Sequence, residues 1–141
     1  NYELVKHLNL RTAYKYYDIQ TDYLSGGYQR PLQAKHRFFG NLGYETHIAN
    51  KGKQWKFDYT FNWLGKQQLP NTATNPAKDR LAEYSPSFSV MNMQVTRTFS
   101  STFEIYIGGE NIGNYKQDHV ILGNKNPFGP TFDASIVYGP V

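Results

Sequence analysis

Four histidines, no cysteine and a single acid–imidazole neighbour pair are the most obvious means this sequence has for metal or acid–base chemistry. His36 and His47 lie at opposite ends of one alternating stretch and on opposite parities, so that strand cannot aim both at one ion. His7 stands alone. Asp118 and His119 could form half of a hydrolytic relay, but adjacent side chains seldom point together, and no nucleophile accompanies them. Gly108-Gly109 and the later FGP (128–130) lack the following helix that a phosphate loop needs. They read instead as bends or close approaches of a strand. No catalytic residue, metal or cofactor is expected, and the chain is not expected to be an enzyme. What remains is recognition. Tyr17, Tyr23, Tyr28, Arg30, Arg80, Tyr84 and His119 fall in long segments rich in Gly, Pro and Asn, where Tyr and Arg suit the capture of a polar ligand.

The elements that must position these residues are strands. Aromatic residues make up 16% of the 141 positions, with 12 Tyr, yet mean hydropathy is −0.66. The apolar content is carried by large side chains in alternation, and no apolar run approaches the roughly 18 residues of a transmembrane helix. Strands that cross a membrane escape such a test, because their signal alternates. The opening NYELVKHLNL carries charges where the apolar core of a secretion signal would lie. The net charge of +4 is dispersed, with no basic–aromatic patch, so nucleic acid is not an expected partner.

Five long alternating segments are legible, at 4–17, 36–48, 55–65, 89–99 and 103–111, with a weaker sixth at 132–138. The third reads WKFDYTFNWLG: Trp55, Phe57, Tyr59, Phe61 and Trp63 alternate with Lys56, Asp58, Thr60 and Asn62. A period of two gives a strand one apolar and one polar face. In the first segment Leu4, Leu8, Leu10, Thr12, Tyr14 and Tyr16 share a face opposite His7, Asn9, Arg11 and Lys15. The connections at 50–53 and 100–102 are tight; those at 18–35, 66–88 and 113–131 are long. Short and long alternate, so the long loops emerge on one side. That asymmetry, with amphipathic strands of about ten residues, predicts an all-β, antiparallel transmembrane β-barrel segment with short periplasmic turns and long extracellular loops. The segment 80–84 reads as one helical turn inside a loop.

The facing follows from parity. Leu8, Leu10, Leu42, Tyr44, Trp55, Phe57, Tyr59, Phe61, Trp63, Val95, Ile105 and Ile107 are expected to face lipid. Arg37, Asn41, Glu45, Asp58, Asn62, Gln94, Glu104 and Glu110 are expected to face the lumen. Aromatic residues sort into two bands around an aliphatic zone, as membrane girdles do, and Arg97 falls on the apolar parity near the short turns, where its stem can snorkel. A turn centred on Lys51-Gly52 predicts Ile48 opposite Trp55, Tyr44 opposite Tyr59 and Gly40 opposite Trp63. It also sets Glu45 against Asp58, an unfavourable like-charge pair; a slip of two residues would bring Lys56 to Glu45 instead.

WKFDYTFNWLGKQQLPNT (55–72), YSPSFSVMNMQVTRTFSSTFEIYIGGENIGNYKQ (84–117) and NPFGPTFDASIVYGPV (126–141) resemble the C-terminal barrel portion of TonB-dependent outer-membrane receptors of the Bacteroidetes type. The phrase IYIGGENIGNY (105–115) is the most specific part. The resemblance implies that 1–141 is a C-terminal fragment, five or six strands of a barrel of roughly 22, with plug, TonB-binding segment and aromatic-ended closing strand absent. It implies a bacterial outer-membrane location and import of a scarce nutrient with TonB-supplied energy: siderophore, haem, cobalamin, glycan or peptide. The implied partners are outer-membrane lipid and lipopolysaccharide, the rest of the barrel and its plug, the TonB complex through that plug, and a surface lipoprotein. A passive porin-like barrel and a soluble β-sheet binding module are the alternatives.

Overall fold

Period-two alternation over nine to thirteen residues can only be satisfied by extended chain, and extended chain must find partners for its N–H and C=O groups. A computed structural model shows where they go. It describes all residues except 1, 24–25, 30–31, 50–51, 78–79, 118–120, 124, 131 and 138–141. Within strands, only the backbone of 3–4, 20–23, 26–29, 121–122 and 133–137 is described.

The described chain is all-β, with ten strands: β1 (Tyr2–Val5), β2 (Leu8–Tyr16), β3 (Gln20–Tyr23), β4 (Gly26–Gln29), β5 (His36–Glu45), β6 (Gln54–Leu64), β7 (Phe88–Ser100), β8 (Phe103–Gly109), β9 (Ile121–Leu122) and β10 (Asp133–Val137). Among the described residues no helix is long and apolar enough to cross a membrane. The chain gathers into two compact units. One holds 1–16, 36–64 and 88–115; the other is the three long connections, 17–35, 65–87 and 116–141.

The first unit is one antiparallel sheet in the order β1-β2-β5-β6-β7-β8. Its short turns, at Lys6-His7, between β5 and β6, and at Ser101-Thr102, all lie along one edge. The first of these corrects the sequence reading, which ran one strand from Leu4 to Tyr17. Leu4 belongs to β1, and Val5 pairs back onto Leu8. His7 makes the reversal possible at φ 71, a left-handed conformation that His adopts more readily than most residues.

The β5–β6 register is the slipped one. Glu45 pairs with Lys56, Leu42 with Tyr59, Gly40 with Phe61 and Phe38 with Trp63. The expected contact of Glu45 with Asp58 is therefore absent; Asp58 lies opposite Gly43 and Gln94. A bulge is the cause. Thr46 N donates to Trp55 O at 2.9 Å and Ala49 pairs with Lys53, so His47 and Ile48 together oppose Gln54. Gln54 fills the gap, its Nε2 donating to Thr46 O at 3.0 Å and Glu45 Oε2 at 3.1 Å. Gly52, at φ 78, closes the turn through its N–H to Ala49 O.

The sheet has one layer. The buried apolar residues among those described are Ala34, Leu69 and Phe88, and no large side chain is fully buried. Ala34 and Leu69 belong to the second unit. That unit is held by isolated bridges, Ala34 with Gln67 and Gln68 with Tyr84, and by the hairpins β3–β4 and β9–β10. One further expectation is corrected there, and the weak sixth segment is found as a strand outside the main sheet. Residues 80–84 form no helical turn: Leu69 N donates to Glu83 O and Ser85 N to Gln67 O, so this stretch runs extended beside 67–69. The weak sixth segment becomes β10, paired with the short β9.

Gly52→Ala tests the β5–β6 turn. The nearest backbone to a new Cβ, Ser101 N, is 3.6 Å away, an ordinary contact, so the cost is conformational alone. The substitution is expected to cost about 1–2 kcal/mol, read as a lower urea midpoint in detergent micelles, and Gly52→Asn less.

Candidate functional site

In an antiparallel ladder paired residues point to the same side, so the register extends each strand's alternation across the whole sheet. On one face a row runs Tyr14, Phe38, Trp63, Ser89; the next Thr12, Gly40, Phe61, Met91; then Leu10, Leu42, Tyr59, Met93; then Leu8, Tyr44, Phe57, Val95, Ile107; then Trp55, Arg97, Ile105. All twelve residues expected on the apolar face share it. Only β6 is aromatic throughout; on its neighbours the rings fall at the strand ends. This face is uncovered by the rest of its own unit: Trp55 is 42% exposed, Met93 48% and Ile107 75%.

The two ends of this face differ in chemistry. Beside the long connections, Tyr14 and Tyr16 bracket His36, with Tyr14 Oη 2.6 Å from His36 Nδ1 and the Tyr16 ring at 5.1 Å. Gly40 sits beside the Phe38 ring, whose Cε1 would lie 3.4 Å from an added Cβ, and Phe38 meets Phe61 at 6.2 Å. The sequence reading had Trp63 over that glycine; the slipped register moves it to Phe38. Beside the short turns, the Arg97 guanidinium lies 4.7 Å from the Trp55 ring and 5.6 Å from that of Phe99. Phe99 in turn meets Phe103 at 5.6 Å.

The opposite face is polar over its middle and short-turn end and carries Ala13, Phe39, Leu64, Phe88 and Val90 toward the long connections. Arg37, Asn41, Glu45, Asp58, Asn62, Gln94 and Glu104 share it, as parity predicts. Glu110 lies one residue past β8 and is exposed. Asn41 Nδ2 donates to Thr60 Oγ1 at 3.1 Å, Gln94 Nε2 to Thr96 Oγ1 at 3.2 Å, and Asn111 N to Asn92 Oδ1 at 2.9 Å. A depression of about 470 Å³ opens over Asn41, Asp58, Thr60, Asn92, Gln94 and Tyr106. Gly108 keeps its floor close, because a Cβ there would come within 3.2 Å of Met93 O. Thr60, Asn92 and Tyr106 fall on the polar parity in sequence, in phase with Asp58, Gln94 and Glu104, but were left out of the set expected to face the lumen. Amides, hydroxyls and a carboxylate on a polar wall can bind water and polar solutes; they hold no nucleophile–base pair.

Of the ligand-contact candidates, three have described side chains, and each of these makes its own local contact. Tyr17, Arg80 and Tyr84 belong to the second unit. Tyr17 N donates to Lys35 O, and Arg80 Nε to Asn75 O at 2.9 Å; Tyr84 is 42% exposed and bridges Gln68. Tyr23 and Tyr28 are described in backbone only, within β3 and β4. Arg30, Asp118 and His119 lie outside the described residues. Among those described, no group of three His, Asp or Glu could hold a metal ion. His7 is not alone, however: its ring meets that of His47 edge-on, centroids 6.1 Å apart. The β1–β2 turn that carries His7 holds no Gly or Pro, so nothing in its residue types marks the contact.

No family model, no curated protein and no solved structure matches the chain.

The Arg97–Trp55 contact is open to a double-mutant cycle with Arg97→Met and Trp55→Leu. A coupling energy of about 0.5–1 kcal/mol is expected for a cation over an exposed ring, read from urea midpoints in micelles. A coupling of zero would reduce the pair to coincidental proximity.

Proposed function

We propose that this chain is part of the wall of a transmembrane β-barrel in a bacterial outer membrane, and that the barrel is a TonB-dependent importer of a scarce nutrient. One observation carries the membrane reading: a single-layer antiparallel sheet has one continuous apolar face, one mainly polar face, short turns along one edge and long connections from the other. A single-layer sheet with an aromatic face needs an apolar phase against it, and a bilayer supplies one along the whole strand length. Backbone groups in that phase must all be paired; the ladders from β2 to β8 pair those inside the sheet, and in this reading the neighbouring strands of the barrel pair those along its two open edges. The importer reading rests on the wording of 55–72, 84–117 and 126–141, which resembles such receptors.

In this reading Leu10, Leu42, Val95 and Ile107 face lipid tails, while Tyr14, Trp63, Trp55 and Phe103 sit at the two interfaces. Asn41, Asp58, Asn62 and Gln94 line a wet lumen. The long connections, with Tyr17, Arg80 and Tyr84, face the cell exterior and meet the incoming nutrient: a siderophore, haem, cobalamin, glycan or peptide. The energy comes from the TonB complex acting through a plug elsewhere in the protein, and a surface lipoprotein is a further partner. These residues bind and shape a passage; they break no bond.

Two neighbouring substitutions test the reading. Phe61→Lys puts a charge in the middle of the apolar face and is expected to cost about 2–4 kcal/mol of insertion. Asn62→Lys, one residue on and facing the other way, is expected to insert normally. The measurement is protease protection after assembly of the full-length protein into liposomes. Equal tolerance of both substitutions would overturn the facing and the membrane with it.

A further inference from the structure

Two histidine rings meet at the short-turn edge. His7 lies opposite Glu45 in the ladder, where Glu45 N donates to His7 O at 3.0 Å. His47 follows two residues later, inside the bulge opposite Gln54, and its ring meets that of His7 with centroids 6.1 Å apart and planes at 73°. Two backbone irregularities bring them together: His7 takes φ 71 in the β1–β2 turn, and the bulge displaces His47 from the regular ladder. A regular hairpin at either position would break this approach.

The separation fits an ion. With a metal–nitrogen distance of about 2.0–2.1 Å, each imidazole centroid sits about 3.2 Å from the metal. Two rings on one ion are then at most about 6.4 Å apart, and about 5.2 Å at the tetrahedral angle. The observed spacing lies inside the upper limit and within about one ångström of the tetrahedral value. His47 is also oriented as ligating histidines are. Its Nδ1 lies 2.8 Å from Ile48 O; a carbonyl only accepts, so Nδ1 carries the proton and Nε2 keeps its lone pair in the neutral ring. The Glu45 carboxylate, fixed by Gln54 Nε2 at 3.1 Å, adds negative charge nearby, with Lys56 paired opposite it.

We propose that His7 and His47 bind one late first-row divalent ion, of the zinc, copper or nickel class that imidazole suits, with water completing the coordination. Two protein ligands make an exchangeable site, not a permanent structural one. The ion ties the β1–β2 turn to the β5–β6 hairpin. The inference does not depend on the apolar face lying in a membrane.

The experiment is zinc chloride titration of the tag-free full-length protein in detergent micelles, followed by calorimetry, with the thermal midpoint as a second readout. His7→Asn keeps a residue that tolerates the left-handed turn, and His47→Gln keeps the polarity of the bulge. Each is expected to weaken zinc binding at least about tenfold, as loss of even an outer-shell partner commonly does. Each should also abolish the zinc-dependent rise in thermal midpoint. His36→Gln, at the far end of β5, should change neither. With copper(II) as probe, the spin-resonance spectrum should show two nitrogen donors that fall to one in either variant. Unchanged zinc affinity in the His7→Asn/His47→Gln double variant overturns the proposal, as does the absence of saturable binding in the parent.

Discussion

The antiparallel ladder is the constraint on which the rest of the structure depends. Each paired residue must point to the same side as its partner, so one strand's choice of apolar parity commits every strand beside it. β6 makes that choice most emphatically, with a ring at each of five alternate positions. Through Phe57 the choice passes to Tyr44 and Val95, and through Val95 to Ile107. A shift of one residue anywhere would turn Asp58 and Asn62 to the apolar side. The bulge at His47 and Ile48 lies outside the regular ladder, beyond Glu45, where it can absorb an extra residue without reversing any face.

This explains which parts of the fold were legible in sequence. Facing survives a register error of two residues, because such a slip preserves parity; the apolar and polar sets were therefore readable although the β5–β6 pairs were not. The register itself depended on how residues 46–53 close. A bulge filled by a Gln side chain leaves no signature in composition, whereas Lys51-Gly52 suggested a simple turn. The β1–β2 reversal was invisible for a related reason. Leu4 and Leu8 are in phase, and His7, which takes the left-handed conformation, is not a turn residue by type.

The long connections were legible in length but not in form. Their order comes from isolated contacts: the buried Gln67 N–H reaches Ser85 Oγ at 3.0 Å, and Leu81 N reaches Thr72 Oγ1 at 2.8 Å. Single hydrogen bonds between residues far apart in sequence have no periodicity to betray them. The same holds for Tyr14 and His36, which lie 22 residues apart and meet because β2 pairs with β5. Residue type alone says nothing of where a loop folds back, so the candidate ligand residues were chosen without knowledge of their contacts.

The arrangement of side chains on the apolar face also bears on what covers it. A protein partner is usually anchored by aromatic and Arg side chains near the centre of a patch, with a more polar, weakly contributing rim. Outside β6, this face is arranged the other way. The central strand β6 carries Phe57, Tyr59 and Phe61 through the middle of the patch, and the residues beside them, Thr12, Gly40, Leu42, Met93 and Val95, are small or aliphatic and poor in directional contacts. The ends of the face carry Tyr14, Tyr16 and His36 on one side, and Trp55, Arg97, Phe99 and Phe103 on the other. Tyr and Trp pair an apolar body with a polar tip, and Arg97 rests its charge against rings at one margin. Such side chains gain most where an apolar phase gives way to water. That order is what supports the bilayer proposed above over a docked protein surface.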